Sequence, residues 1–126
     1  MKKTPETITI LPESDEQTLC LEVSGYVTRE EHQEKLVAGL QHILDRHNTF
    51  NLLINYNAGY KGWEETAADS SIQSIIDFGK KARKLAYVNP PEKKIMQMKM
   101  TPDLFSGEVR FFAPYELNKA IAWIKS

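Results

Sequence analysis

"FNLLINY", residues 50–56, is the stretch on which the fold turns. Leu52, Leu53 and Ile54 make a nearly continuous apolar run, not the alternation of a strand with one wet face. Such a run is expected of a strand covered on both sides, which implies parallel neighbours with helices packed over them. Upstream, "TITIL" (7–11) and "TLCLEVSG" (18–25) do alternate, and the turn-rich "PESDEQ" (12–17) between them predicts a hairpin. In the second of these strands Leu19, Leu21 and Val23 share one face, with Thr18, Cys20 and Glu22 on the other. Thr28 followed by Glu31 is a capping-box pair. The helix behind it carries Leu36, Leu40, Ile43 and Leu44 at helical spacing and ends near "RHN" (46–48).

Downstream, "NAGYKG" (57–62) reads as a loop and "WEETAADSSIQSIIDFGKKARK" (63–84) as a second helix. Its acidic start and basic end suit the helix dipole, and Ala68, Ile72, Ile75, Ile76 and Gly79 form an inward stripe. "LAYV" (85–88) is a short strand stopped by "NPP" (89–91). Pro90 and Pro91 then open a third helix over "KKIMQMKM" (93–100). "EVRFFA" (108–113) is the last strand. "PYELNKAIAWIK" (114–125) is the last helix, with Leu117, Ala120, Ile121 and Ile124 inward. The order is β-β-α-β-α-β-α-β-α, an α/β chain with a mixed, mainly parallel sheet packed with helices. Residues 1–126 form one domain, without linker, repeat or low-complexity stretch.

Composition narrows the function classes. With 41% hydrophobic and 26% charged residues, neither a disordered nor a fibrous chain is indicated. Cys20 is the single cysteine, which excludes an intramolecular disulfide and a multi-cysteine metal site. No apolar run follows Lys2 and Lys3, and no stretch reaches the ~18 apolar residues of a spanning helix, so a cytoplasmic protein is expected. Charge is unevenly spread. Residues 1–79 hold six Lys/Arg against 13 Asp/Glu, whereas residues 80–126 hold ten against four. Such asymmetry suits an anionic partner or surface.

Chemistry is sparse. "GYKGW" (59–63) lacks the spacing of a phosphate-cradling loop. His32, His42 and His47 sit at spacings that place them on different helix faces, so solvated histidines are expected and no metal site. "HQE" (32–34) echoes a zinc-deaminase element without its paired cysteines. Cys20 has no base nearby in sequence and reads as an inert thiol. No nucleophile stands with its base. No catalytic residue, cofactor or nucleic-acid partner is expected.

A more specific signal lies at the C-terminus. "FSGEVRFFAPYELNKAIAWI" (105–124) resembles the closing signature of the SpoIIAA-like family, in the STAS superfamily and near the CRAL-TRIO lipid-binding folds. "SGYVTREEH" (24–32) and "KARKLAYVNP" (81–90) agree in place and kind. The resemblance implies a SpoIIAA/STAS-like fold and no enzyme. It also exposes a departure. STAS anti-sigma antagonists carry a phosphorylated D-x-S where this chain reads "NYNAGYKGW" (55–63), without serine, threonine or aspartate. Ser70 and Ser71 come about two turns later, so control by phosphorylation is not expected.

Tyr56, Tyr60 and Trp63 instead surround Lys61 there, and amphipathic rings beside a lysine suit a lipid headgroup boundary. The third helix adds Met96, Met98 and Met100, with Phe105 beyond it. Its Ile95, Met96, Met98, Met100 and Leu104 leave no clean polar face, so it must be buried on most sides or meet something apolar. The expected function is a non-enzymatic domain for a small hydrophobic or lipid-like ligand held by Tyr56, Tyr60, Trp63, Met96, Met98, Met100 and Phe105. Lys61, Lys93, Lys94 and Lys99 would face an anionic membrane surface, placing the protein peripherally at the inner face of the membrane. A homodimer stays open as a further partnership. The alternative is a STAS-like protein-interaction regulator without the phosphorylatable serine.

Overall fold

Leu52, Ile54 and Tyr56 stand in parallel register beside Leu19, Leu21 and Val23, and this ladder is the centre of a five-stranded sheet. The computed structural model describes residues 7–63, 77–100 and 102–126. Strand β1 (Ile8–Ile10) lies antiparallel to β2 (Thr18–Val27), and β3 (Phe50–Trp63), β4 (Ala82–Val88) and β5 (Glu108–Phe112) follow in parallel. Spatial order equals chain order. Each parallel connection therefore steps the same way across the sheet, and right-handed crossovers must then all lie on one face.

The packing obeys that rule. Leu36, Leu40 and Ile43 of the first helix and Met98 of the methionine helix (Glu92–Met100) bury in the same cluster, against Leu19, Leu52 and Leu85. Among the described residues, the C-terminal helix (Leu117–Ile124), which follows the last strand, covers the opposite face. Its Ala120 and Ile124 pack on Cys20, Leu53, Ala86 and Val88, with Leu117 and Ile121 beside them. With both faces covered, Leu52, Leu53 and Ile54 are all buried, as a continuous apolar run requires. Among the described residues, no helix is long and apolar enough to cross a membrane.

The first helix runs through Arg29–Glu31, a π-helical stretch His32–Val37 and Ala38–Leu44. Half of the expected capping box forms at its N-terminus, the Glu31 backbone N–H donating to Thr28 Oγ1 at 3.1 Å. The Glu31 carboxylate reaches across to accept from the Ile8 backbone N–H at 3.2 Å, tying the helix start to the edge strand.

Two expectations are corrected and a third is narrowed to one of its two branches. Residues 57–62 are not a loop, because β3 runs on through them to Trp63, pairing Tyr60 with Gly25 and Trp63 with Val27 after a register shift. Trp63 is therefore strand, not helix. The second helix also ends before 84. Gly79–Lys81 form a single 3-10 turn, and β4 begins at Ala82, where Lys84 pairs with Asn51. The rest of that helix, with Ala68, Ile72, Ile75, Ile76, Ser70 and Ser71, lies outside the described residues. Lastly, the methionine helix buries one side only. Met98 is 5% exposed, whereas Met96 is 55% and Met100 77% exposed.

Candidate functional site

Strand lengths make the site. The ladder between β3 and β4 ends at Asn55 and Val88. The sequence Asn89-Pro90-Pro91 stops β4 there: Asn89 turns into the left-handed region at φ 55°, and the prolines offer no N–H to a ladder. The Asn89 side-chain amide donates to the Tyr56 carbonyl at 3.1 Å, taking the place of the next rung. Beyond it, β3 continues toward Trp63 with β2 as its partner strand among the described residues, and the methionine helix begins at Glu92 on the other side.

Between the β3 extension and the helix start lies an open groove of about 710 Å³. Tyr60, Lys61 and Trp63 form one wall, and Glu92, Lys93, Lys94 and Gln97 the other. This is the carboxyl end of the parallel strands, where open α/β sheets place ligands. Its volume falls in the range of roughly 300–1,000 Å³ usual for ligand sites. Three ammonium groups against one carboxylate give the rim a positive balance.

A second, smaller cavity of about 40 Å³ sits deeper, between the first helix and the sheet. Leu36 and Leu40, Leu52 and Ile54, and Phe78 and Phe105 make it apolar, while His32, Tyr87 and Lys94 supply its polar atoms. It has room for little more than one water-sized group or a short alkyl end. Trp63 and Lys94 line both spaces and so form the partition between them.

The electrostatics at that partition are unusual for surface residues. Lys94 is half-buried, its ammonium lying over the Tyr87 ring at 5.1 Å from the centroid. Burial of that ammonium pushes its pKa down to about 8. His32 is 1% exposed and meets Trp63 edge to face at 5.4 Å between centroids. Burial, aided by the Lys94 charge, lowers its pKa to about 4, so it is neutral at pH 7. The expectation of a solvated histidine is thus corrected: the first helix turns His32 toward the sheet. Burial also raises Tyr60 to about 12, with a hydrogen bond from Trp63 acting the other way, and it raises Tyr87.

The structure gathers Tyr60, Lys61, Trp63, Lys93, Lys94 and Phe105 around the two spaces. Tyr56 lies beneath them, buried edge-on to Tyr60 at 4.9 Å. Its hydroxyl has no hydrogen-bond partner among the described residues, and burial holds its pKa well above the usual value. Met98 is core, while Met96, Met100 and Lys99 are exposed on the helix and border neither space. His32 and Tyr87 were not singled out from the sequence as site residues. Cys20 is fully buried under the C-terminal helix, and burial raises its thiol to about 11, away from any site. Among the described residues, no group of three or more His, Cys, Asp or Glu is placed to hold a metal ion.

Comparison with known proteins agrees with this architecture. The family model described as SpoIIAA-like matches residues 18–125. The fold is similar to the crystal structure of a DUF3478-family protein with a SpoIIAA-like fold from Shewanella loihica PV-4, at TM-score 0.68, 21% identity and 98% coverage of both chains. No curated protein matches the chain.

Proposed function

The chain belongs to the SpoIIAA-like family, and we propose that it serves as a non-enzymatic binding domain for a small hydrophobic or lipid-like ligand seated in the groove between the β3 extension and the methionine helix. The family fold is generally non-enzymatic. The observation that carries the reading is the partition, where Trp63 and Lys94 belong both to an open groove and to the apolar cavity behind it. The cavity of about 40 Å³ is too small for an alkyl chain. The body of the ligand therefore lies along Trp63 and Tyr60 in the groove, with one end at the partition.

Trp63 is itself a reporter, since Trp123 is the only other tryptophan and packs against Phe112 on the far side of the sheet. In a Trp123→Phe background, titration with decanol should give a saturable change in Trp63 emission, and Tyr60→Ala should weaken it. Native mass spectrometry of the purified protein should show an adduct of lipid mass. A folded protein giving neither saturation nor adduct would remove this reading.

A second reading rests on the exposed side of the methionine helix. Lys93, Met96 and Met100 fall on one helical stripe and all are exposed, with Lys99 exposed next to it. Exposed methionines among lysines suit peripheral contact with an anionic membrane, at about 1 kcal/mol per well-placed basic residue. Flotation with anionic vesicles should decline when Lys93→Glu and Lys99→Glu are combined. Equal flotation of both proteins would exclude it.

A further inference from the structure

Resting on the groove reading above, we infer that the ligand is a carboxylate-headed amphiphile of the fatty-acid class, its head held by the Lys94 ammonium and its apolar body against Trp63 and Tyr60. A half-buried ammonium on the wall of a groove, lying over an aromatic ring, is a seat for an anion. Among the described residues, Lys94 Nζ has no hydrogen-bond or ion-pair partner, and its recorded neighbour is the Tyr87 ring. That ring stabilises a cation only weakly beside what a carboxylate would provide. The lowered pKa of Lys94 expresses the same deficit.

The surroundings select the kind of anion. The imidazole of His32, neutral at pH 7, is the nearby titratable group from the first helix, and Tyr87 from β4 is a neutral phenol. Neither competes for the ammonium as an anion would. On the rim, Lys61 and Lys93 add positive charge, while Glu92 opposes a doubly charged head. Of the three ammonium groups only Lys94 stands at the partition, so a head seated there meets one positive charge at close range and is matched by a single negative one. The start of the methionine helix, whose first residues line this wall, adds the favourable end of its dipole.

The test compares decanol, decanoate and decyl phosphate, each below its micellar concentration at pH 7, with Trp63 emission as the readout. Decanoate should bind at least ~10-fold tighter than decanol, a difference of about 1.4 kcal/mol. Lys94→Met, close in shape, should erase that preference, bringing the decanoate and decanol affinities within about threefold of each other. Lys94→Arg should retain it, and Lys119→Met, on the C-terminal helix across the sheet, should not alter it. Chemical denaturation of each variant checks the fold, and Lys94→Met should be no less stable than the parent. If decanol binds and decanoate binds no tighter, the inference falls while the groove reading stands. Tighter binding of decyl phosphate overturns the carboxylate assignment. If none of the three saturates, both readings fall together.

Discussion

Lowering the pH should destabilise this protein in part through His32. The imidazole is 1% exposed, stacked edge-on to Trp63, with Lys94 close enough to disfavour a second positive charge. Its pKa in the fold is about 4, against 6.5 for an ordinary histidine. A depressed histidine means that the unfolded chain takes up a proton in a pH window where the folded chain does not. Stability from this source is fully present above about pH 6.5 and is lost progressively down to about pH 4. At 1.36 kcal/mol per pH unit, the loss between pH 7 and 4.5 is roughly 2–3 kcal/mol. Urea unfolding of the wild type, His32→Gln and His32→Leu at both pH values isolates it, because carboxylate titrations are common to all three. The two variants should lose roughly 2–3 kcal/mol less than the wild type over this range. Wild-type and variant stabilities that fall in parallel, within about 0.5 kcal/mol, would refute the reasoning.

The methionines should separate sharply. Met98→Ala should cost about 2–5 kcal/mol by opening a cavity, while Met96→Ala and Met100→Ala should each stay within about 0.5 kcal/mol in the same denaturation assay. Gly107→Ala should destabilise by about 1–3 kcal/mol or more, because a Cβ there would overlap the Ala82 and Arg83 carbonyl oxygens at the start of β4. An unchanged unfolding midpoint would contradict that close approach. Cys20, buried and with its thiol raised to about 11, should resist a thiol-specific disulfide reagent at pH 8 in the native protein and react at once in guanidinium. Rapid stoichiometric labelling of the native chain would show that the C-terminal helix does not cover it.

Much of this molecule follows from local pattern. The apolar run at 50–56 demands cover on both faces, the Thr28–Glu31 spacing starts a helix, and Asn89-Pro90-Pro91 can only end a strand. Period-2 alternation in β2 correctly assigned Leu19 and Leu21 to one core and Cys20 to the other. These features depend on a few neighbouring residues, so the amino-acid order by itself determines them. What depended on distant partners was not legible. Residues 57–62, with Asn57 and the glycines Gly59 and Gly62, read as a loop, yet β2 supplies an edge that holds them extended. Lys84 looks like the basic end of a helix, but it lies in β4, where its ammonium donates to the Trp123 carbonyl at 3.1 Å and caps the C-terminal helix from 39 residues away. The even charge and apolar scatter of "KKIMQMKM" gives no hint that Met98 alone turns inward, because the sheet beneath the helix chooses that face. His32 is a polar residue at the start of a polar helix turn, and only the meeting of that turn with the end of β3 buries it against Trp63. The groove is decided in the same way. It exists because β3 outruns β4, and a difference in strand length becomes a cavity only when the strands lie side by side.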